Sequence, residues 1–150
     1  MTTGRPEPIV IAPSEGRSIP RPDTGGRVVI KVSRDQSSGA MTVYESSRET
    51  GDRGGPPRHA HAGFDEFFYV LDGAYDFAFG ERNVLVRKGS CVFIPRGAWH
   101  GFRSAGSEPG RLLTVCTPGG IEQFFEEVAR QPTLVGDIAA SHGFDSSRWG

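Results

Sequence analysis

Short apolar and aromatic stretches, separated by turn residues, cover the middle of the chain. Residues 27–34 predict one strand, and residues 40–47, which alternate more clearly, predict a second. Residues 64–71 are apolar on both faces, which predicts a central strand. Further strands are predicted over residues 74–79, 82–86, 91–94, 99–103 and 111–117. Strands at this regular spacing indicate an all-β sandwich or barrel.

The two ends of the chain differ from this middle part. Residues 1–26 are rich in Pro, Gly and Arg and predict an arm or loop, in which residues 9–11 are a candidate edge strand. Residues 27–118 are expected to form the barrel. Residues 119–150 are expected to form a helix and a tail that pack on it.

The segment over residues 121–130 has the periodicity of an amphipathic helix. Its apolar positions are Ile121, Phe124, Phe125 and Val128. The opposite, polar face is expected to carry Glu122, Glu126 and Glu127. A helix packed on the outside of the barrel is favoured over a partner-binding helix.

The chain after this helix is more polar. Residues 135–142 predict one more short helix, with His142 on the surface. The tail from Phe144 to Gly150 is expected to fray unless Trp149 docks on the barrel.

The composition agrees with one compact domain of 150 residues. The formal net charge is only -1 and no basic block occurs, which argues against a nucleic-acid partner. Because no apolar run could span a bilayer and no secretory signal is visible, no membrane partner and a cytoplasmic location are expected. Cys91 and Cys116 lie in predicted strands and are expected to be buried, reduced thiols, with a disulfide left open.

Three of the chain's four histidines fall within two short segments. His59 and His61 stand two residues apart, so both point to the same face if the segment is extended. His100 comes from a separate predicted hairpin. Imidazole and carboxylate together suit divalent first-row transition metals, so this concentration of histidine predicts one metal ion.

Two carboxylates follow the first pair of histidines. Glu66 is out of phase with His61 on a regular strand, and a bulge or a bend around Gly63 would correct this. Asp65 is in phase but shorter, and is expected to be a hydrogen-bonding or solvent-facing neighbour. Glu66 is therefore the candidate fourth ligand.

The two segments resemble the two sequence motifs of the cupin superfamily. The first motif's histidines, glutamate and closing glycine are matched by His59, His61, Glu66 and Gly73. The second motif is matched by Gly89, Pro95, Gly97 and His100. The usual leading glycine of the first motif falls on Arg53, and the usual final asparagine of the second is replaced by Ser104.

This resemblance implies a single-domain cupin jelly-roll barrel (a double-stranded β-helix) with a C-terminal amphipathic helix. It implies that one divalent transition metal is bound by His59, His61, Glu66 and His100. Iron, manganese, nickel, cobalt, copper and zinc are all compatible with these ligands. A homodimer is expected by the same resemblance.

The chain is similar to small quercetin dioxygenase-like cupins, which implies a metal-dependent dioxygenase. The expected substrate is a flavonol-like or other enolisable aromatic small molecule. Its hydroxyl would bind the metal, Glu66 would take the hydroxyl proton, and dioxygen would be the co-substrate. An aromatic substrate pocket is expected from Phe68, Phe77, Phe79, Phe93 and Phe102.

Two other functions stay open on the sequence. The metal could serve as a Lewis acid in a cyclase, isomerase or lyase of small-molecule biosynthesis. The chain could also be a non-catalytic, metal-containing ligand-binding cupin. No inward cluster of arginines indicates a sugar phosphate, because Arg96 and Arg103 are expected outside the barrel. The polar loop over residues 48–58 is expected at the rim of the site.

Overall fold

The computed structural model describes residues 6–48, 56 and 58–145 of the chain. The strands in these residues are β1 (Arg17–Arg21), β2 (Gly26–Val32), β3 (Thr42–Arg48), β4 (Ala60–His61), β5 (Asp65–Asp72), β6 (Ala74–Phe79), β7 (Arg82–Arg87), β8 (Cys91–Ile94), β9 (His100–Ala105), β10 (Gly110–Thr117) and β11 (Phe144–Asp145). The helices are α1 (Ile121–Arg130) and α2 (Val135–Ser141), with a 3-10 turn, Pro132–Leu134, between them. The predicted strands from residue 27 onward and both predicted helices are confirmed within one or two residues at most ends.

The strands pair antiparallel in the described part of the chain. The largest sheet has the order β1-β2-β3-β10-β5-β8, a second has the order β7-β6-β9, and β4 pairs with β11. The strand β5 lies between β10 and β8, which confirms its predicted interior position. The two larger sheets face each other, because side chains from both meet in one buried cluster. This is the all-β sandwich expected from the strand spacing.

The buried side chains form two clusters. One lies between the two larger sheets and includes Phe68, Val70, Tyr75, Phe77 and Leu112. The other joins β1–β3 to the helices and includes Ile19, Tyr44, Cys116, Phe125 and Val128. Glu66 lies where the clusters meet, since it precedes Phe68 on the inner face of β5 and pairs in register with Cys116.

The N-terminal segment departs from the prediction. Residues 9–11 form no strand, and Ile9 and Val10 are exposed. Instead Arg17–Arg21 pairs with β2 and buries Ile19 in the cluster that joins β1–β3 to the helices, so the expected arm contributes a strand to the largest sheet. This strand was not predicted because a proline, here Pro20, argues against a strand in a sequence pattern. An edge position tolerates proline, since one side of the strand has no partner.

Helix α1 has the predicted bounds, but one of its residues was assigned to the wrong face. Glu122 was expected on the polar side and is only 5% exposed. Its carboxylate accepts hydrogen bonds from the N–H of Arg34 at 2.7 Å and from the hydroxyl of Thr42. These donors compensate the burial of the charge, and periodicity alone could not reveal them.

The end of the described chain docks on the barrel rather than fraying. Phe144 pairs with His61 and Asp145 pairs with Ala60, which joins β11 to β4. His142, expected on the surface, is half-buried because its ring lies edge-on to Phe124. Trp149 lies outside the described residues. None of the helices described has the length and apolar character needed to cross a bilayer.

The two cysteines differ in exposure. Cys116 is buried as predicted, whereas Cys91 is exposed, and neither forms a disulfide. The prediction failed for Cys91 because it lies on the outer face of β8, whereas the inner face carries Val92 and Ile94.

Native protein is expected to react with iodoacetamide at Cys91 and not at Cys116. Burial raises the pKa of the Cys116 thiol, and the charges of Glu66 and Glu122 raise it further, so little thiolate is present at neutral pH. Mass spectrometry of the labelled peptides measures this, with protein unfolded in guanidinium as the control for full access. Equal labelling of both cysteines in the native state would contradict the assignment.

Candidate metal centre

Backbone hydrogen bonds bring the two histidine segments together. His59 and His100 each donate their N–H to the other's carbonyl, both at 2.9 Å. Gly97 donates its N–H to the carbonyl of His61 at 2.9 Å, from a turn whose φ of 79° favours glycine. Two segments that are distant in sequence therefore meet with their histidines side by side.

The three imidazole rings converge in the interior. His59, His61 and His100 are 8%, 2% and 1% exposed. The ring centroid of His59 lies 5.5 Å from that of His61 and 4.5 Å from that of His100, and the last two are 4.9 Å apart. One ring nitrogen of each lies within 4.8 Å of the others, a spacing at which a single ion could bind all three.

Backbone carbonyls fix the orientation of two of these rings. Nδ1 of His61 lies 3.2 Å from the carbonyl oxygen of Phe64, and Nδ1 of His100 lies 2.9 Å from that of Ala98. A carbonyl can only accept, so each Nδ1 donates. Each Nε2 can then donate to the Glu66 carboxylate when protonated, or bind an ion when it has lost its proton. Metal-binding histidines usually have this arrangement, in which the second nitrogen is hydrogen-bonded to the protein.

Glu66, the predicted fourth ligand, contacts two of the three histidines. The chain bends over residues 62–64, between β4 and β5, and this bend supplies the change of phase expected near Gly63. Oε2 of Glu66 lies 2.8 Å from Nε2 of His61 and 3.2 Å from Nε2 of His100. The structure thus places the carboxylate at the point towards which both nitrogens face.

The charge state of Glu66 follows from these neighbours. Burial would raise the pKa of its carboxyl group. Hydrogen bonds from His100 and His61, together with their charge, outweigh burial and lower the pKa from 4.5 to about 2. The group is therefore a carboxylate at neutral pH, the form in which it can bind a metal ion.

Glu66 also contacts two residues that were not predicted from the sequence. The hydroxyl of Tyr44 lies 3.4 Å from Oε1, and Sγ of Cys116 lies 4.0 Å from the same oxygen. Burial raises the pKa of the Tyr44 hydroxyl, and the charge of Glu66 raises it further, so Tyr44 keeps its proton. The strand register explains the contacts, because β3, β10 and β5 are adjacent, and local sequence carries no signal for it.

Asp65 and the two arginines lie outside the centre, as expected. Asp65 accepts a hydrogen bond from the backbone N–H of Arg96 at 3.0 Å, and its carboxylate lies 3.4 Å from the Arg96 guanidinium. The side chain of Arg103 is 62% exposed and pairs with Asp76. Neither arginine takes part in the buried site.

A cavity of about 210 Å³ opens beside His59 and Glu66. Its walls are largely apolar and include the aromatic side chains of Tyr44, Phe102, Phe124, Phe125 and Phe144. Both helices therefore contribute to this cavity, because α1 and α2 cover the end of the barrel next to the histidines. Pro56 also lines the cavity, and most of the loop over residues 48–58 lies outside the described residues.

Phe144 covers the histidines from the helix side. Its ring stacks near His59, with centroids 5.7 Å apart and planes inclined by 20°, and lies 5.6 Å from the ring of His61. It also contacts Phe124 of α1 at 4.8 Å. Sequence reasoning missed this residue because the pairing of β11 with β4 joins parts of the chain that are remote in sequence.

The predicted aromatic pocket needs correction. Phe102 lines the cavity, whereas Phe68 and Phe77 are 1% and 0% exposed and pack in the cluster between the sheets. Phe79 packs against the same cluster, and Phe93 is 63% exposed on the outer face of β8. The alternation of apolar and polar residues indicates which side chains point inward. It does not indicate which of them line the cavity and which pack against the opposite sheet.

Replacing Phe77 with alanine is expected to lower the free energy of unfolding by about 3–5 kcal/mol, because a fully buried ring would leave a void. The matched change, Phe93→Ala, should alter it by no more than about 0.5 kcal/mol, since that ring is largely in solvent. Urea denaturation of both variants measures the difference. Similar losses in the two variants would contradict the placement of Phe77 in the core.

The donor set fits a divalent first-row ion. Three imidazole nitrogens converge in a buried pocket, a carboxylate oxygen of Glu66 lies against two of them, and two of the imidazoles are oriented by the backbone. An ion held by such a set could also bind a substrate or water, and the cavity is lined by two of the four residues, His59 and Glu66. The residues that would hold the ion are His59, His61, His100 and Glu66.

Comparisons with known proteins agree with this architecture. A family model described as "Cupin domain" matches residues 49–116. The polyketide cyclase RemF from Streptomyces resistomycificus superposes with a TM-score of 0.63 and 21% identity, over 74% of this chain and 80% of that one. A predicted oxalate decarboxylase from Thermotoga maritima gives a TM-score of 0.64 and 20% identity, over 73% and 99%.

A third solved structure, KdgF from a Halomonas species, has a TM-score of 0.63 and 13% identity, over 75% of this chain and 97% of its own. A search of curated protein sequences gave no significant match. The fold and the histidine-lined centre define an all-β jelly-roll with a candidate metal site. Residues 49–116 match the cupin domain, and the fold is that of the cupin superfamily.

Proposed function

We propose that the protein is a metal-dependent enzyme acting on a small aromatic compound that carries an acidic enol or phenol hydroxyl, and that its reaction is a dioxygenation. The observation that carries this proposal is the position of Glu66. Its carboxylate lies among three convergent imidazoles and faces a cavity with aromatic walls. That combination suits a substrate that is flat, apolar and able to release one proton.

One divalent ion held by His59, His61, His100 and Glu66 is part of this proposal, with iron, manganese, nickel, cobalt, copper and zinc as candidates. When bound, such an ion supplies Lewis-acid polarisation of a substrate oxygen and, if redox-active, electron transfer to dioxygen. The chain's own residues bind and orient the substrate and move its proton.

Each residue of the cavity has a role that its contacts support. Glu66 accepts the proton of the substrate hydroxyl at its carboxylate. Tyr44 donates a hydrogen bond to the other carboxylate oxygen, which keeps Glu66 turned towards the histidines. Phe124 and Phe144 exclude water and hold the ring of the substrate by aromatic packing. Dioxygen is the oxidant, and both of its atoms enter the organic product.

The size of the cavity limits the substrate. Its volume of about 210 Å³ exceeds the roughly 150 Å³ of an engineered cavity that accommodates benzene. A compound of one or two fused rings therefore fits better than the larger flavonol skeleton. This narrows the substrate class expected from the sequence.

An oxygen electrode tests the proposal directly. Protein reconstituted separately with iron, manganese, nickel or cobalt is given a panel of phenols, catechols and naphthols. The proposal expects dioxygen uptake with at least one metal and one compound, with label from isotopic dioxygen recovered in the product. Turnover that proceeds equally well under argon would overturn the dioxygenase assignment.

A second candidate is a Lewis-acid cyclase, isomerase or lyase. The observation that favours it is the hydroxyl of Tyr44, 3.4 Å from Glu66, because a proton donor and a proton acceptor then face one cavity. Reactions that only move protons need such a pair. RemF, which shares the fold, is named a polyketide cyclase. Activity of a zinc form without dioxygen would favour this candidate, and binding without turnover in any form would favour a ligand-binding protein.

A further inference from the structure

A partly buried ion pair lies in the wall of the cavity. Nε and Nη2 of Arg21 donate to the two carboxylate oxygens of Asp23, at 2.9 Å and 2.7 Å. The two side chains are only 13% and 8% exposed, and both line the same cavity as His59 and Glu66. Neither residue is used in the mechanism proposed above.

The pair is held rigidly from two directions. The turn between β1 and β2 closes where the N–H groups of Thr24 and Gly25 donate to the carbonyl of Arg21. The guanidinium of Arg21 lies over the rings of Phe124 and Phe125, at 5.5 Å and 4.8 Å from their centroids. The hairpin and helix α1 thus fix the direction in which the pair faces.

The strand register separates this pair from the metal centre. Tyr44, which contacts Glu66, and Ser46, which also lines the cavity, are successive inner residues of β3, about 7 Å apart. Val28 of β2 pairs with Ser46 of β3. Two residues further from Tyr44, Gly26 of β2 pairs with Arg21 of β1. The cavity therefore has a polar group at each end, with aromatic walls between them.

The chemistry of the pair indicates which ligand group it would bind. Among the described residues, no partner occupies Nη1 of Arg21, so its two N–H groups are available to a ligand. The carboxylate of Asp23 can accept a further hydrogen bond beside them. A hydroxyl can accept from Arg21 and donate to Asp23, whereas a carboxylate on the ligand would meet the negative charge of Asp23. The pair is neutral as a whole and favours a neutral hydroxyl. Arg27 also lines the cavity, but it is exposed, so solvent and salt screen its charge.

We propose that Arg21 and Asp23 form a recognition site for a second, neutral hydroxyl at the end of the substrate remote from the metal. The substrate class is then a one- or two-ring aromatic compound with hydroxyl groups at opposite ends. This inference rests on the proposed function, because it places the first hydroxyl at the metal centre.

Three naphthalene probes test the inference by fluorescence titration, without any turnover. They are beta-naphthol, the diol with a second hydroxyl at the far end of the other ring, and the naphthol with a carboxylate at that position. The diol is expected to bind about tenfold more tightly than beta-naphthol, as one added hydrogen bond pair implies. The carboxylate probe is expected to bind no more tightly than beta-naphthol.

Variants separate recognition from a structural role. Asp23→Asn leaves the charge of Arg21 unbalanced, so the carboxylate probe should gain about tenfold relative to the diol. The matched control is Asp72→Asn, which removes the carboxylate of an exposed Arg–Asp pair on the outer surface and should leave all three affinities unchanged. A structural defect would weaken all three probes together. Circular dichroism confirms that each variant is folded.

The inference is overturned if wild-type protein binds the diol no more tightly than beta-naphthol, or if Asp23→Asn shifts all three affinities by one common factor. Both results are independent of catalysis. If no compound is turned over but the probes are still discriminated, the proposed enzymatic function fails and the recognition site stands. Titrations of metal-loaded and chelator-treated protein should show the same ratio between the probes.

Discussion

Replacement of His100 with alanine is expected to abolish metal binding by the purified protein. The ring of this residue is 1% exposed, and its Nε2 faces the same point as Nε2 of His61. Loss of one of three imidazoles removes a ligand and leaves a void in the buried site. Inductively coupled plasma mass spectrometry should give about one ion per chain for the wild type and a small fraction of that for the variant.

Stability provides a second measurement of the same change. Metal in hundredfold excess over its dissociation constant stabilises a protein by about 2.7 kcal/mol, so added metal should raise the melting temperature of the wild type. It should not raise that of His100→Ala. His142→Ala is the matched control, because His142 lies against Phe124 and Glu127 rather than in the centre. Equal metal loss in both variants would contradict the site.

Glu66→Gln is expected to keep the metal bound with reduced affinity and to lower kcat by about 10²–10⁴ on a hydroxyl-bearing substrate. An amide oxygen still reaches the ion, but it does not take the proton of the hydroxyl. The measurement is steady-state turnover of the compound found active in the oxygen assay, with metal content determined on the same samples.

The control for this variant is its neighbour in the sequence. Asp65→Asn removes a carboxylate that pairs with Arg96 outside the cavity, so it should keep nearly full activity. Full activity of Glu66→Gln would show that another group takes the proton. An equal loss in Asp65→Asn would show that the effect comes from disturbance of β5 rather than from the missing acceptor.

Local sequence patterns predicted the parts of the molecule that depend on local structure. The bounds of α1 follow from apolar spacing between Ile121 and Val128, and the strands follow from alternation bounded by turns. The three histidines and Glu66 were found because their spacing and the two motif segments carry the signal. The bend near Gly63 was predicted because the phase of Glu66 required one.

Residues brought to the site by long-range pairing could not be predicted. Tyr44 reaches Glu66 through the register of three adjacent strands, and Phe144 reaches His61 through a strand pair that closes across the barrel end. The pair of Arg21 and Asp23 enters the cavity only because β1 lies at the sheet edge beneath α1. The partners in these contacts come from different parts of the chain, so local sequence patterns do not indicate that they meet.

The aromatic residues show the same limit in another form. Phe68, Phe77 and Phe102 all occupy inner positions of their strands, and only Phe102 faces the cavity. The other two are covered by the opposite sheet. Which inner positions face a cavity depends on how the sheets and helices close around it, a property of the whole fold.

The central claim is that His59, His61, His100 and Glu66 hold one metal ion. Anomalous diffraction from a crystal, recorded on both sides of the absorption edge of the metal found by elemental analysis, tests it most directly. One strong peak per chain is expected at the point where the three imidazoles and the Glu66 carboxylate converge. A peak elsewhere in the molecule, or none at that point in protein loaded with metal, would contradict it.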